Sequence, residues 1–479
     1  VGMTSTRPRY FIGIDNGSQS SKVTVFDDHG RAVSEGRASL RPYHTPRPGV
    51  VEHPDDDLWT TIGQASQAAL AAFPGDPADI VGVGLCTIRF CRAVLKADGT
   101  LAQPVMSWMD ARVSQPHAAP DAAYVTTSSG YITHRMTGAF RDTAANYAGM
   151  WPVDPTTWQW SADAEELAAF GVTRSMLFDL VMPGEILGEV TEQAAAQTGI
   201  PAGVPVVATA NDKAVEALGC GLRAPETLLV SLGTYVAGMA TGPRYVTGAR
   251  DFWTNYASEP GRYLYESTGV RRGMWTVSWY RDLLGEEAAV HARAAGLSTE
   301  DYLNAQAEKV PPGCEGLMTV LDWLAPTEAP FRKGTLLGFD GRQGRFHIYR
   351  SILEALALTV HDTSTRMAAE LGTPFQEVIV SGGGSHSDVM MQIHADVYGV
   401  PARRAEASSA AGLGAAICAA IGLGIYADTD EAVAHMVRPG PVFMPNAAHH
   451  AIYQRLGEVY RSVREHTDKI YQQSHEIFG

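Results

Sequence analysis

Two stretches of this chain share one local plan, and that repetition limits the fold more than any other feature. YFIGIDNGSQSSKVTVFDDHG, near the start, reads as an apolar strand from Tyr10 to Ile14, a Gly/Ser turn, and a second strand from Lys22 to Phe26. The turn is too short for anything but an antiparallel hairpin. TLLVSLGTYVAGMATG, from Thr227 to Gly242, is again strand, small polar turn, strand. Strand and helix patterns alternate after each hairpin. The first half predicts a strand near Ala32 to Ala38 and a helix from Asp57 to Phe73 with Leu58, Ile62, Ala65 and Ala69 on one face. A strand from Ile80 to Cys86 and another beginning at Arg92 follow. The second half predicts a strand at Tyr263 to Glu266, an amphipathic helix from Phe346 to Leu371, and a strand at Val378 to Ser381. Helices are then expected from His386, over 409–422, and from His449 to about His475. At 479 residues the chain is too long for one compact core. Two duplicated α/β domains facing one another are therefore expected, residues 9–222 and 223–479, the latter ending in a helical segment over 440–479. GCGLRAPE, around Leu218 to Glu226, supplies the boundary, and the cleft between the halves is the natural ligand site.

Four elements carry chemistry. Asp15 ends an apolar strand and is followed by NGSQSSK. Gly17, Ser18, Ser20 and Ser21 can turn backbone and hydroxyl donors towards phosphate, and Lys22 adds a point charge; the plainer alternative is a hairpin turn with a capping aspartate. SLGTY has the same shape in the second half, with Gly233 permitting close backbone approach and Thr234 offering a hydroxyl and an N–H. In VIVSGGGSHSDVM a strand runs into Gly382, Gly383 and Gly384, which let backbone lie against a flat ring or a phosphate, with Ser385 placed to cap the next helix. In VPVVATANDKAVEALGCG, Asp212 lies just beyond a strand and opens a helix starting near Ala214. It is either a helix cap or a general base that takes the proton of a hydroxyl attacking a γ-phosphoryl group. No GxxxxGK[ST] sequence occurs, which excludes a P-loop.

In this order, from Tyr10 to about Gly424, these elements resemble the FGGY family of carbohydrate kinases. GTLLGFDGRQGRFHIYRSILEAL is similar to that family's C-terminal signature around Gly334, Gly338, His347, Ser351 and Glu354. The resemblance implies two actin-like ATPase (ribonuclease H-like) domains and transfer of phosphate from ATP with Mg2+ to a hydroxyl of a sugar, polyol or sugar acid. It implies that Asp15, with Asn16, Gly17, Ser18 and Lys22, organises magnesium and phosphate, and that Asp212 is the base and a second metal contact. Gly233 and Thr234 would hold phosphates. Gly383 and Gly384 would lie against adenosine, with Gly382 and Ser387 beside them. Acceptor contacts would come from Arg89 and Phe90 in TIRF, from Trp108 and Asp110 in WMDAR, and from Lys213 and Arg271. Simple core packing is the alternative for Trp108.

Departures from the family pattern fall near the acceptor. A helical stretch usual after WxDxR is reduced here to Val113–Ala123, so a lid or pocket wall is missing or rebuilt. Lys213 stands where relatives commonly have Asn or Gln, and Arg271 and Arg272 fall where glycerol kinases look apolar. Cations near the acceptor require anionic partners. Either protein carboxylates such as Glu266, Glu216 or Asp110 pair with them, or an acidic acceptor does. Rival readings for the whole chain are an actin-like or chaperone-like ATPase and a catalytically weak sugar-binding sensor.

The formal net charge of −15 argues against nucleic acid or an anionic membrane as partner. Five dispersed cysteines, Cys86, Cys91, Cys220, Cys314 and Cys418, suit a reducing compartment and buried apolar positions. VGMTSTRPRY lacks the apolar run of a signal peptide, so a cytoplasmic location is expected, and a homodimer is expected from family habit.

Overall fold

A computed structural model describes residues 7–119, 121–149 and 151–478. The first lobe is built on a six-stranded sheet: β1 (Tyr10–Asn16), β2 (Ser20–Asp27), β3 (Ala32–Ser39), β4 (Ile80–Thr87), β5 (Ile186–Glu189) and β6 (Pro205–Ala208), in the order β3-β2-β1-β4-β6-β5. The second is built on a seven-stranded sheet: β7 (Thr227–Leu232), β8 (Val236–Gly242), β9 (Phe252–Tyr256), β10 (Tyr263–Ser267), β11 (Glu377–Ser381), β12 (Ala402–Ala405) and β13 (Pro439–Phe443), in the order β9-β10-β8-β7-β11-β12-β13. The repeat is thus real at the level of topology. In each lobe an antiparallel hairpin, β1–β2 or β7–β8, is extended on the side of its first strand by two parallel strands and a closing antiparallel one. The near-continuous apolar runs in β1, β4, β7 and β11 follow from this placement, since central parallel strands are buried on both faces.

Helix α1 (Asp57–Ala71) covers one face of the first sheet with Leu58, Ile62, Ala65 and Ala69, as their spacing predicts. Helix α2 (Asp212–Gly219) follows β6, and α3 (Gly273–Leu283) follows β10. The long α4 (Arg345–Leu371) buries Ile352, Leu356 and Val360 against the second sheet, and α5 (Asp388–Tyr398) packs on it. Helix α6 (Ala410–Gly422) comes from the second half of the sequence but packs on the first sheet and on α2. Its small residues let backbones nearly touch: a Cβ on Gly84 would lie 2.0 Å from the Ala415 carbonyl oxygen, and one on Gly13 would lie 2.1 Å from that of Gly412. Helix α7 (Ala447–Phe478) closes the chain, its Tyr453 hydroxyl donating to Glu354 and its Arg464 to Asp322.

The five cysteines are buried and free. No helix among the described residues is long and apolar enough to cross a membrane. The segment after Asp110 forms one short turn, Ala111–Ser114, in which Val113 packs against Val94 and Met106. Pro120, inside the predicted lid departure, lies outside the described residues.

Candidate active site

Parallel strands aim their carboxyl ends at one crevice, and three of the groups predicted in the first lobe, Asp15, Arg89 and Asp212, arrive that way. Asp15 is the next-to-last residue of β1, Arg89 follows β4, and Asp212 follows β6, with Asp15 paired in register to Cys86 of β4. The second lobe brings its own strand ends: Ser231 and the 233–234 turn after β7, Ser381 and Gly382 at the end of β11, and Glu266 on β10.

Asp212 is the first residue of α2. The helix cap is Asn211, whose side-chain oxygen accepts from the Ala214 N–H at 3.1 Å. The capping alternative for Asp212 is therefore excluded. Its Oδ1 is buried with no hydrogen-bond partner and lies 3.9 Å from Arg89 Nε. A buried carboxylate oxygen without a hydrogen-bond partner is costly unless the site uses it.

Asp15 is not a turn cap either, since no hydrogen bond among the described residues reaches its carboxylate and the turn closes through Gly17 N–H to Ser20 O at 3.0 Å. Burial, with Asp212 and Glu216 close by, pushes the Asp15 carboxyl up to about 7. Such an undercompensated charge fits a divalent cation. No cluster of three His, Cys, Asp or Glu side chains converges among the described residues, so an ion here would complete its shell with phosphate oxygens and water.

Several expected phosphate donors are committed elsewhere. Gly17 spends its N–H within the turn. Ser21 is buried between Asn16 Nδ2 and Thr61 Oγ1, at 2.7 Å from each. Asn16 is fully buried, and Ser18 offers its carbonyl to Tyr43. Lys22 bridges Glu35 and the Ser408 carbonyl, each at 3.0 Å, instead of pointing at phosphate. The second turn is held through its carbonyls. The first N–H groups of α3 hold the carbonyls of Thr234 and Gly233 at 2.7 and 3.1 Å, and Thr234 is exposed to the cleft.

At the glycine run, Gly382 has φ +84° and would place a Cβ 2.5 Å from Leu232 O, so only glycine fits. Gly383 has open space around it. Gly384 is buried, with Met274 and Leu232 where a Cβ would point. The cap of α5 is Ser387, whose Oγ accepts from Met390 N–H at 3.3 Å; Ser385 instead donates to Gly382 O. The predicted start of that helix at His386 moves accordingly to Asp388.

The predicted acceptor side chains divide sharply. Arg89 makes a two-toothed ion pair with Glu266, at 2.6 and 2.9 Å, across the two lobes. Its guanidinium lies over the rings of Phe90 and Trp253, at 5.1 and 5.0 Å, and Phe90 adopts φ +65° to reach there. Burial alone would lower the Arg89 pKa, but Glu266 outweighs it and holds it raised. Trp108 is 47% exposed, which removes core packing as its explanation. Asp110 is 1% exposed and fully engaged by Arg112 and by the Val51 N–H, so it is structural. Arg271 is exposed and donates to the Ala325 carbonyl at 2.9 Å, away from the predicted role. Arg92 is buried over Trp151 and Phe170, bonded to three backbone carbonyls. Of the two sources of anions weighed for these cations, the protein supplies them for Arg89 and Lys213.

Lys213 pairs with Glu216, one of the carboxylates the sequence offered, in a hub whose two serines were not anticipated. Its Nζ donates to Glu216 at 2.9 Å and to Ser231 Oγ at 3.0 Å. Glu216 Oε1 accepts from Ser231 at 2.7 Å and from Ser381 at 2.6 Å. Burial alone would raise the Glu216 carboxyl, but Lys213 and the serine hydroxyls hold it below its ordinary range. One carboxylate on the helix of Asp212 thus ties the ends of both strands that lead into the second lobe's loops. The available signal was a serine at or next to the end of each of two apolar strands, Ser231 and Ser381; that the two lie side by side is shown only by the register of the sheet.

Two facing lobes whose duplicated sheets converge on loops, carboxylates and a buried cation define a phosphotransferase of actin-like fold. The chain belongs to the FGGY family of carbohydrate kinases: the family's N-terminal domain matches residues 10–118 and 113–219, and its C-terminal domain residues 228–423. The two N-terminal matches meet at the shortened segment. The chain is 50% identical over 472 residues to the uncharacterised sugar kinase YgcE of Escherichia coli (strain K12), covering 98% of this chain and 96% of that one. Its fold matches a xylulose kinase from Rhodospirillum rubrum with a TM-score of 0.82 at 23% identity, over 97% of this chain and 100% of that one. A gluconate kinase from Lactobacillus acidophilus matches with the same TM-score at 18% identity, over 98% and 100%. The protein is a carbohydrate kinase.

Proposed function

We propose that the protein transfers the γ-phosphoryl group of ATP to a hydroxyl of a sugar, polyol or sugar acid in one in-line step, with Asp212 as general base. The observation that carries this reading is the Asp212 carboxylate itself, relieved of capping by Asn211, with Oδ1 buried beside Arg89 and without a hydrogen-bond partner. In the step, the acceptor hydroxyl gives its proton to Asp212 and its oxygen bonds to the γ-phosphorus. The bond from that phosphorus to the bridging oxygen breaks, and ADP leaves. Thr234 and the neighbouring amides orient phosphates, and Gly383 leaves room for the base or sugar of the nucleotide. Magnesium, held by Asp15 with help from Asp212, would neutralise charge on the transferring group. The Arg89–Glu266 pair joins the lobes beside the acceptor side.

The test is ADP release measured with and without a panel of sugars, alditols and aldonates. Acceptor-stimulated release should fall by about 10²-fold or more in Asp212→Asn, with nucleotide affinity nearly unchanged. Near-parental turnover in that variant would remove Asp212 as the base.

A further inference from the structure

Resting on the kinase reading above, we propose that Glu266 is a specificity-determining residue: by occupying Arg89 from the opposite lobe, it commits the acceptor site to an uncharged sugar or polyol and turns carboxylated acceptors away.

A guanidinium beside a catalytic base is the group best suited to bind a substrate carboxylate, because its paired N–H donors match two oxygens. Here both matching donors are already taken. Arg89 Nη1 and Nη2 each bond one oxygen of Glu266, which is 2% exposed. Asn255 Nδ2 adds a 3.4 Å contact to the same carboxylate. Phe90 and Trp253 flank the guanidinium and hold its plane. Nε faces Asp212 at 3.9 Å.

What remains of Arg89 is its outer N–H groups, enough to donate to a hydroxyl or carbonyl oxygen. A substrate carboxylate would have to displace Glu266 or sit beside it. It would then face the Glu266 and Asp212 carboxylates with one guanidinium between them. The other nearby cation, Lys213, is bound to Glu216 and Ser231, and Arg271 points to the Ala325 carbonyl. Discrimination of this kind works by leaving the wrong ligand's charge unpaired. The fold does not decide the matter, since chains described as xylulose and gluconate kinases share it equally well. The decision lies in which anion Arg89 holds.

The experiment compares matched pairs of neutral and acidic acceptors, xylitol with xylonate and glucitol with gluconate, alongside ketopentoses, in the parent and in Glu266→Gln. The parent should favour the neutral member in kcat/KM. Glu266→Gln frees the guanidinium's charge and should move the acid-to-neutral ratio by about tenfold or more towards the acid. ADP binding, read by thermal shift, should stay unchanged, which separates altered specificity from damage to the nucleotide lobe. Direct binding of the same pairs to the parent in the presence of ADP gives the answer without any variant. A parent that prefers the acid, or a Glu266→Gln ratio equal to the parent's, overturns the proposal and leaves the kinase reading standing. Absence of acceptor-stimulated ADP release across the whole panel overturns both.

Discussion

Asp15 is an anion that the fold leaves undercompensated, and its behaviour with pH follows from that. Folding raises its carboxyl from an unfolded value near 3.8 to about 7, through burial and the nearby charges of Asp212 and Glu216. The folded chain therefore holds an extra proton between those two values. Its contribution to stability falls as pH rises through that window, and the full penalty is present above it. Asp15→Asn should unfold at higher temperature than the parent at pH around 8, with no gain at pH around 3. A bound divalent cation relieves the same penalty, so magnesium–nucleotide affinity in the parent should strengthen as pH rises from about 6 to about 8, and Asp15→Asn should lose that dependence. Titration of nucleotide binding with and without magnesium checks both statements, and a pH-independent parent would contradict them.

At the scale of elements, the site depends on how closely helices approach the sheets. Gly84 of β4 lies so near α6 that an added methyl group would meet the Ala415 carbonyl at 2.0 Å. Gly84→Ala should cost about 1–3 kcal/mol by forcing the helix outward, seen as a lower denaturation midpoint with an unchanged slope. Helix α2 carries a different dependence. Glu216 is the partner of Lys213, Ser231 and Ser381. Glu216→Ala would leave a mostly buried ammonium without its carboxylate, at a cost of about 3–5 kcal/mol. The same change releases the ends of β7 and β11, so ADP affinity should fall with stability. If stability falls and ADP affinity does not, the hub positions α2 alone.

For the molecule as a whole, the lobes are tied by Arg89–Glu266 and by Glu216 to Ser231 and Ser381. Helix α6 adds a covalent crossing, since it leaves the second lobe's sheet and packs on the first. Unfolding should therefore be one transition, and ADP should shift all of it. At about 100 times its dissociation constant, ADP should add about 2.7 kcal/mol. Two calorimetric transitions, with only the higher-numbered lobe responding to ADP, would show that these ties do not couple the lobes.

The sequence by itself determined whatever depends on local pattern. Apolar runs fixed β1, β4, β7 and β11, a 3.6-residue period fixed α1 and α4, and the repeated hairpin fixed a duplicated architecture, because periodicity and turn chemistry act over a few residues. It also placed Asp15, Asp212, Thr234 and Gly383 at strand ends, where α/β folds put their chemistry. Tertiary structure alone decided the partners. Whether Arg89 faces a substrate or Glu266 depends on a strand some 177 residues away. Lys22 was drawn to Glu35 and Ser408, and Ser21 was buried under Thr61. Gly384 was buried beside Met274, and α6 crossed to the other lobe. A charge or a hydroxyl is satisfied by whichever group lies nearest in space, and nearness across the cleft is set by how two sheets face each other, which no local pattern records.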